Sequence, residues 1–121
     1  MFEYNLAQQL PNPAPKPSGD GCKECLKNGT WWFHLRRCLA CGHIGCCDSS
    51  PNQHARNHFK QTRHQFLTTF EPEELWVWDY LADDYSNHQI VKLEAPLHRP
   101  LNQPAPGPAG IVPADWQEKL N

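Results

Sequence analysis

Eight cysteines and histidines between positions 22 and 64 constrain this chain more than any other feature: Cys22-x-x-Cys25, Cys38-x-x-Cys41, Cys46, His54-x-x-x-His58 and His64. Thiolate and imidazole together suit zinc, whose filled d shell imposes no geometry of its own and which takes four such donors tetrahedrally. Eight donors fill two Zn(2+) ions and leave no position for water or substrate. Saturated sites of that kind are structural, because zinc hydrolysis needs an open coordination position. The expectation is a binding module and not an enzyme.

Size sharpens the argument. The chain has 121 residues, and only positions 21–93 are dense in aromatic, Cys and His residues. A body that short buries little apolar area and is marginal without staples. A structural zinc contributes on the order of 10 kcal/mol in small zinc peptides near neutral pH, more than the net stability of most small domains. The six cysteines also admit a disulfide framework. The first ten residues, however, carry Glu3, no basic start and no long apolar run, so they do not read as a secretory signal. Cys-x-x-Cys pairs interleaved with His point to metal in a reducing, cytoplasmic setting. No segment approaches the length of a membrane span.

Three stretches follow from composition: a Pro-rich arm over 1–20, a zinc-binding domain over 21–93 and a Pro-rich tail over 94–121. Pro11, Pro13, Pro15 and Pro17 favour an extended, semi-rigid spacer. Phe2, Leu6 and Leu10 are spaced like one face of a short leading helix. Residues 30–37 (TWWFHLRR) read as a strand after the Asn28-Gly29 turn. Alternation along a strand then forbids Trp31 and Trp32 from both facing inward. Ile44 marks a short strand, and residues 53–62 a helix of nearly three turns behind the turn and cap residues of 48–52. Residues 66–70 and 75–81 read as strands joined by the acidic turn Glu71-Pro72-Glu73-Glu74, and 89–93 as a last edge strand. Asp83 and Asp84 read as connection residues. At the far end, Trp116 and Leu120 form an apolar i, i+4 pair at a frayed terminus, a segment that folds back or a docking peptide.

Each Cys-x-x-Cys pair presents two sulfurs across a tight turn and is one half-site. His54 and His58 stand one helical turn apart, so they either share one ion or each face a different one. His64 follows the helix end and can swing back. Neighbours in an extended segment point to opposite sides, so only one of Cys46 and Cys47 is needed; Cys46 is taken as ligand and Cys47 as a small buried residue. Isolated histidines (His34, His43, His88, His98) read as ordinary surface or core residues. Net charge is −2, or about −3 with five ligand thiols ionised and two zincs bound. Neither the basic group Arg36, Arg37, Arg56, Lys60 and Arg63 nor the acidic one Glu71, Glu73, Glu74, Asp79, Asp83 and Asp84 needs more than a solvated face to explain it.

These residues resemble the ubiquitin-specific-protease-type zinc finger, ZnF-UBP. The resemblance rests on Cys22-x-x-Cys25, Trp32 ahead of Cys38-x-x-Cys41-Gly42, Cys46, His54-Ala55-x-x-His58, His64 and Trp76-Val77-Trp78. It implies an α+β fold: a small twisted antiparallel sheet with one main helix, cross-braced by two structural zinc ions. It implies one ion on Cys22, Cys25, Cys46 and His54 and a second on Cys38, Cys41, His58 and His64. The cysteines of the third site found in some members are replaced by Val77 and Tyr80. Many members bind the free C-terminal diglycine of ubiquitin in a narrow aromatic pocket, helped by an Arg just after a Cys-Gly pair. Here the matching run is Cys46-Cys47-Asp48, with Cys for Gly and an acid for the Arg. Trp76 matches the pocket Trp, Trp78 stands where a Tyr is usual, and Tyr80 and Tyr85 are nearest to the later pocket tyrosines. The run over 46–51 is similar to that of small stand-alone bacterial members, and bacteria generally lack ubiquitin.

The expected function is therefore recognition of a peptide or protein chain terminus, with a free C-terminus as one such ligand, in a groove involving Trp76, Trp78, Asp48, Trp32 and Tyr80. The ligand has diverged from ubiquitin, because a carboxylate beside Asp48 is repelled unless something compensates. Ubiquitin C-terminus binding is the first alternative; a metal- or redox-responsive role through Cys47 is the second. Nucleic acid is disfavoured: Arg56 and Lys60 alone do not make a basic reading helix. Ala55 stands where the zinc-protease His-Glu motif has its catalytic Glu.

Overall fold

In the computed structural model, residues 10–11, 14–71, 74–87, 90, 93, 107–108 and 111–119 are described. In chain order the elements are α1 (Lys23–Asn28), β1 (Leu35–Cys38), β2 (Ile44–Cys46), α2 (His54–Thr62), β3 (Phe66–Thr69), β4 (Val77–Asp79), β5 (Asp84–Tyr85) and a terminal 3-10 turn, Trp116–Lys119. The strands form one antiparallel sheet in the order β2-β1-β3-β4-β5. The architecture is α+β, as expected.

The short α1 was not expected. Cys22 caps it with an extended backbone, and its sulfur accepts from the Cys25 N–H at 3.4 Å. Gly29 ends it in the left-handed conformation, φ 71°. The first Cys-x-x-Cys pair thus sits on one helical turn and not on a strand turn. The strand expected over 30–37 shrinks to Leu35–Cys38. Before it the chain bends, and Trp32 makes a single antiparallel bridge to Gly107 of the tail. Without a strand, alternation does not apply at positions 31 and 32, and both tryptophans are buried. Asp84, expected in a connection, instead pairs with Asp79 in β5. The helix implied by Phe2, Leu6 and Leu10 lies almost wholly outside the described residues, and so does most of the edge strand over 89–93, although Leu10, Ile90 and Leu93 pack against Leu39, Phe66 and Val77.

Register decides what each sheet face carries. Leu35 opposes Cys46, Arg37 opposes Thr68, and Thr68 opposes Val77. This face meets α1 through a core of Cys22, Cys25, Trp32, Leu35, Ile44, Cys46 and Phe70. The opposite face carries Gly45, Arg36, Thr69, Leu67, Trp78 and Tyr85, paired across successive strands. α2 packs on the Gly45 end of it. A Cβ on Gly45 would lie 2.7 Å from the Ala55 nitrogen, so glycine allows the helix backbone to rest on the strand.

Three charged groups expected on a solvated face, Glu71, Arg37 and Asp79, are inside. Glu71 is completely buried, and its Oε2 accepts the Leu35 N–H at 2.9 Å. Arg37 is buried, and its Nη2 donates to the Pro15 carbonyl at 2.6 Å; desolvation lowers its pKa. The Pro-rich arm is held further by Ser18, whose N–H donates to the Gly42 carbonyl and whose Oγ accepts from the Ile44 N–H. At this contact Gly42 has φ 84°, and a Cβ there would collide with the Lys16 carbonyl oxygen. Gly42→Ala should therefore combine backbone strain with displacement of the arm. We expect a loss of about 2 kcal/mol in chemical denaturation of the zinc-bound protein, with amide exchange accelerated at Ser18.

Candidate metal centre and the adjoining cleft

The fold gathers all eight donors into two quartets. Cys22 and Cys25 from α1, Cys46 from β2 and His54 from the first turn of α2 have donor atoms within 4.8 Å of one another. Cys38 from the end of β1, Cys41 from the following turn, His58 from α2 and His64 just beyond it form the second quartet, within the same limit. His54 and His58 thus face different sites, and α2 spans both. These are the groupings that the resemblance implied.

The spacing suits zinc. Bonds of about 2.3 Å to sulfur and about 2.0–2.1 Å to nitrogen in a tetrahedron put sulfurs roughly 3.8 Å apart and sulfur roughly 3.6 Å from nitrogen. In the first quartet His54 Nδ1 lies 3.3 Å from Cys22 Sγ, 3.3 Å from Cys25 Sγ and 3.5 Å from Cys46 Sγ, and Cys25 Sγ lies 4.0 Å from Cys46 Sγ. In the second, Cys41 Sγ is 3.3 Å from His58 Nε2 and Cys38 Sγ is 3.6 Å from His64 Nδ1. Backbone donors support the sulfurs: the His54 N–H points at Cys46 Sγ from 3.2 Å. These are two Cys/His tetrads, each sized for one zinc ion.

Burial pushes the Cys38 thiol up to about 11. Cys25 is brought down to about 4 by its hydrogen bond from Cys22, which is itself driven far up by its Cys25 and Cys46 neighbours. A histidine–carboxylate pair also joins the sites. His43, expected to be an ordinary histidine, is buried, stacks on the His58 ring at 4.0 Å and meets both Glu24 carboxylate oxygens at 2.8 and 2.9 Å. Glu24 belongs to α1 and His43 to the turn after Cys41, so this pair braces one quartet against the other.

Beyond the uncovered end of the sheet, next to α2, lies a cavity of about 220 Å3. Its aromatic wall is Trp76, Trp78, Tyr80 and Tyr85; its polar lining includes His34, Arg36, Cys47 and Asp48. Tyr85 stands edge-on to both tryptophans, at 5.8 Å from Trp76 and 5.0 Å from Trp78. Tyr80 stacks on Phe59 of α2, and burial raises its hydroxyl pKa further above the ordinary tyrosine value. Trp76, Trp78, Asp48 and Tyr80 thus meet at one place. Trp32 does not: it is only 2% exposed, packs against Gly21 and Gly107 and does not line the cavity.

Asp48 does not present a bare charge. Arg56 forks onto it, with Nε at 3.1 and 2.9 Å from the two carboxylate oxygens and Nη2 at 2.6 Å from Oδ2. The basic helix residue considered for nucleic acid is committed to this ion pair and also lies over the Tyr80 ring. Arg36 was not singled out for the cavity by sequence. Its position becomes legible only once Leu35 is known to face the core, because its neighbour must then face the other way. Cys47 is buried with its thiol 3.5 Å from Ser50 Oγ. Burial alone would raise that thiol's pKa, but hydrogen bonds with His34 and Ser50 and the Arg36 charge outweigh it and bring it to about 7.

Comparison with known proteins places these features in a family. The family model described as "Zn-finger in ubiquitin-hydrolases and other protein" matches residues 22–91. The mouse and human BRCA1-associated proteins are 35% identical over 83 residues, 69% of this chain but only 12% of theirs. Zebrafish (Danio rerio) ubiquitin carboxyl-terminal hydrolase 44 is 36% identical over 64 residues, 53% of this chain and 8% of the hydrolase. The chain thus corresponds to about a tenth of these relatives' length. A solution NMR structure of a Rhodopseudomonas palustris protein is 45% identical with a TM-score of 0.55, covering 60% of this chain and 74% of that one. With a family match over more than half the sequence and two zinc-sized Cys/His tetrads, the chain belongs to the zf-UBP zinc-finger family.

Proposed function

We propose that this protein is a non-enzymatic recognition module in which two structural zincs hold a cleft that accepts the end of a peptide or protein chain. In this reading Cys22, Cys25, Cys46 and His54 hold one ion and Cys38, Cys41, His58 and His64 the other. The folded unit is 21–93, and among the described residues of the flanking Pro-rich segments Pro15, Ser18 and Gly107 hydrogen-bond to it. All eight donors come from protein, so neither ion has a vacancy for a reacting water, and zinc serves the scaffold. Thiolate-rich sites of this kind suit a reducing compartment such as the cytoplasm. Among the described residues no helix is long and apolar enough to cross a membrane.

The observation that carries the reading is the aromatic cleft itself. Trp76 and Trp78 are half-buried, and Tyr85 is 62% exposed at the cleft edge, although the sheet has another face in which to bury rings. Rigid aromatic walls around a small cavity are what contact anchors provide. Tryptophan fluorescence titrations of the zinc-loaded protein against a peptide array, with ubiquitin included, test it. Saturable quenching by particular chain ends, lost in Trp76→Ala, is expected. A flat response to every peptide and to ubiquitin would end this assignment.

A further inference from the structure

Glu24 serves a quartet to which it does not belong. It lies in α1 between Cys22 and Cys25 of the first quartet, yet its two carboxylate oxygens stand 2.9 and 2.8 Å from His43 Nε2 and accept from it. His43 belongs to the other side of this join. It follows the Cys38-x-x-Cys41 turn, and its carbonyl accepts the Cys38 N–H at 2.9 Å. Its ring lies flat on His58, with centroids 4.0 Å apart and planes 5° from parallel. His58 in turn meets the His64 ring edge-on at 5.3 Å. The two quartets differ in what else steadies them. Cys22, Cys25 and Cys46 are completely buried in the main core. In the second quartet Cys41 is exposed, and His58 and His64 are only half-buried. Rotation of an imidazole about its last torsion is soft, so packing and hydrogen bonds must select its orientation. A ring pressed flat on His58 and tied by its Nε2 to a carboxylate does this.

We propose that Glu24 and His43 are positioning residues for the second zinc site: the α1 carboxylate fixes the His43 ring, and that ring holds His58 in the orientation that brings its Nε2 to 3.3 Å from Cys41 Sγ. This rests on the two-zinc ligand assignment above. It adds a direction, since a residue flanked by ligands of one ion acts on the affinity for the other. Order in α1 thus reaches the second site through one hydrogen bond and one ring stack, and by linkage the reverse holds equally. The Glu24 side chain is 38% exposed and is solvated when released, so its substitution probes the contact at little cost to the core.

The test loads the full chain with cadmium-113 and follows both sites by NMR during titration with a chelator. The donor sets differ, three sulfurs and one nitrogen against two and two, so the shifts tell the two resonances apart. Glu24→Ala and His43→Ala should each lower the metal affinity of the two-sulfur site about tenfold. The three-sulfur site should change by less than about fivefold, the most that loss of an acid from an exposed first helical turn costs. His43→Phe keeps the stack and should lose less than His43→Ala; Glu24→Gln keeps an acceptor and should lose less than Glu24→Ala. In the His43→Phe background Glu24→Ala should add nothing, because the carboxylate acts through the imidazole. Amide spectra at saturating metal identify the folded variants, and Glu24→Ala with His43→Phe decide the matter if His43→Ala does not fold. An unchanged two-sulfur site, a three-sulfur site weakened as much as its neighbour, or additive losses in the double variant overturns the proposal and leaves the ligand assignment standing. Fewer than two cadmium resonances from the wild type defeats the ligand assignment and the proposal with it.

Discussion

Removing zinc should unfold this protein. Treated with excess chelator at neutral pH, it should lose both ions, its dispersed amide NMR spectrum and its cooperative thermal transition, and regain them when zinc is restored. The magnitude follows from what the metals hold. The first quartet joins α1, β2 and α2, and the second joins β1, its following turn and α2. The main core contains three of the ligand cysteines themselves, Cys22, Cys25 and Cys46, so little apolar packing remains once their geometry is lost. Each structural ion contributes on the order of 10 kcal/mol, against total stabilities of about 5–15 kcal/mol for native domains. Cys46→Ser should reproduce the effect without chelator, because it weakens the first tetrad and removes the sulfur that receives the His54 N–H. A protein that stays compact and melts cooperatively without metal would refute the structural role of both sites.

Glu71→Ala should be the most damaging single substitution outside the metal ligands. A fully buried carboxylate is costly to keep unless it is used, and this one caps the start of β1 at the Leu35 N–H, next to the hydrophobic cluster of Leu35 and Phe70. Alanine would strand that N–H away from water and leave a void, a combined loss of about 3 kcal/mol. Glu71→Gln keeps an acceptor in place and should lose less. Urea denaturation of the zinc-bound proteins would rank the three. Equal stability of wild type and Glu71→Ala would show that the Leu35 amide finds another partner.

Glu71 also shows where reading the chain in order breaks down. In sequence it belongs to an acidic turn, and an acid in a turn is ordinarily solvated. It is buried because the backbone of a residue 36 positions earlier needs an acceptor, a demand invisible to local pattern. Arg37 is a parallel case, since its partner is a proline carbonyl in the arm. The tryptophan pair at 31 and 32 was misjudged for a different reason: alternation presupposes a strand, and tertiary pairing with Gly107 replaced the strand there. His43 looked like one more unremarkable histidine until the turn after Cys41 brought it against Glu24 and His58.

Sequence by itself determined the metal chemistry and the fold class. Ligand identity is a property of side-chain donors, and Cys-x-x-Cys or His-x-x-x-His spacing ties those donors to short local geometries that survive any larger arrangement. The same holds for α2 and for the cores of β3 and β4, whose residue patterns match what they become. Only the tertiary structure decided which face each strand residue takes, because one step of register exchanges the two sides of a sheet. That step put Arg36 in the cleft, while the bridge to Gly107 put Trp32 in the core and the packing of α2 brought Arg56 onto Asp48. The charge balance of the cleft is therefore a product of pairings between residues distant in the chain, and no run of neighbouring letters encodes it.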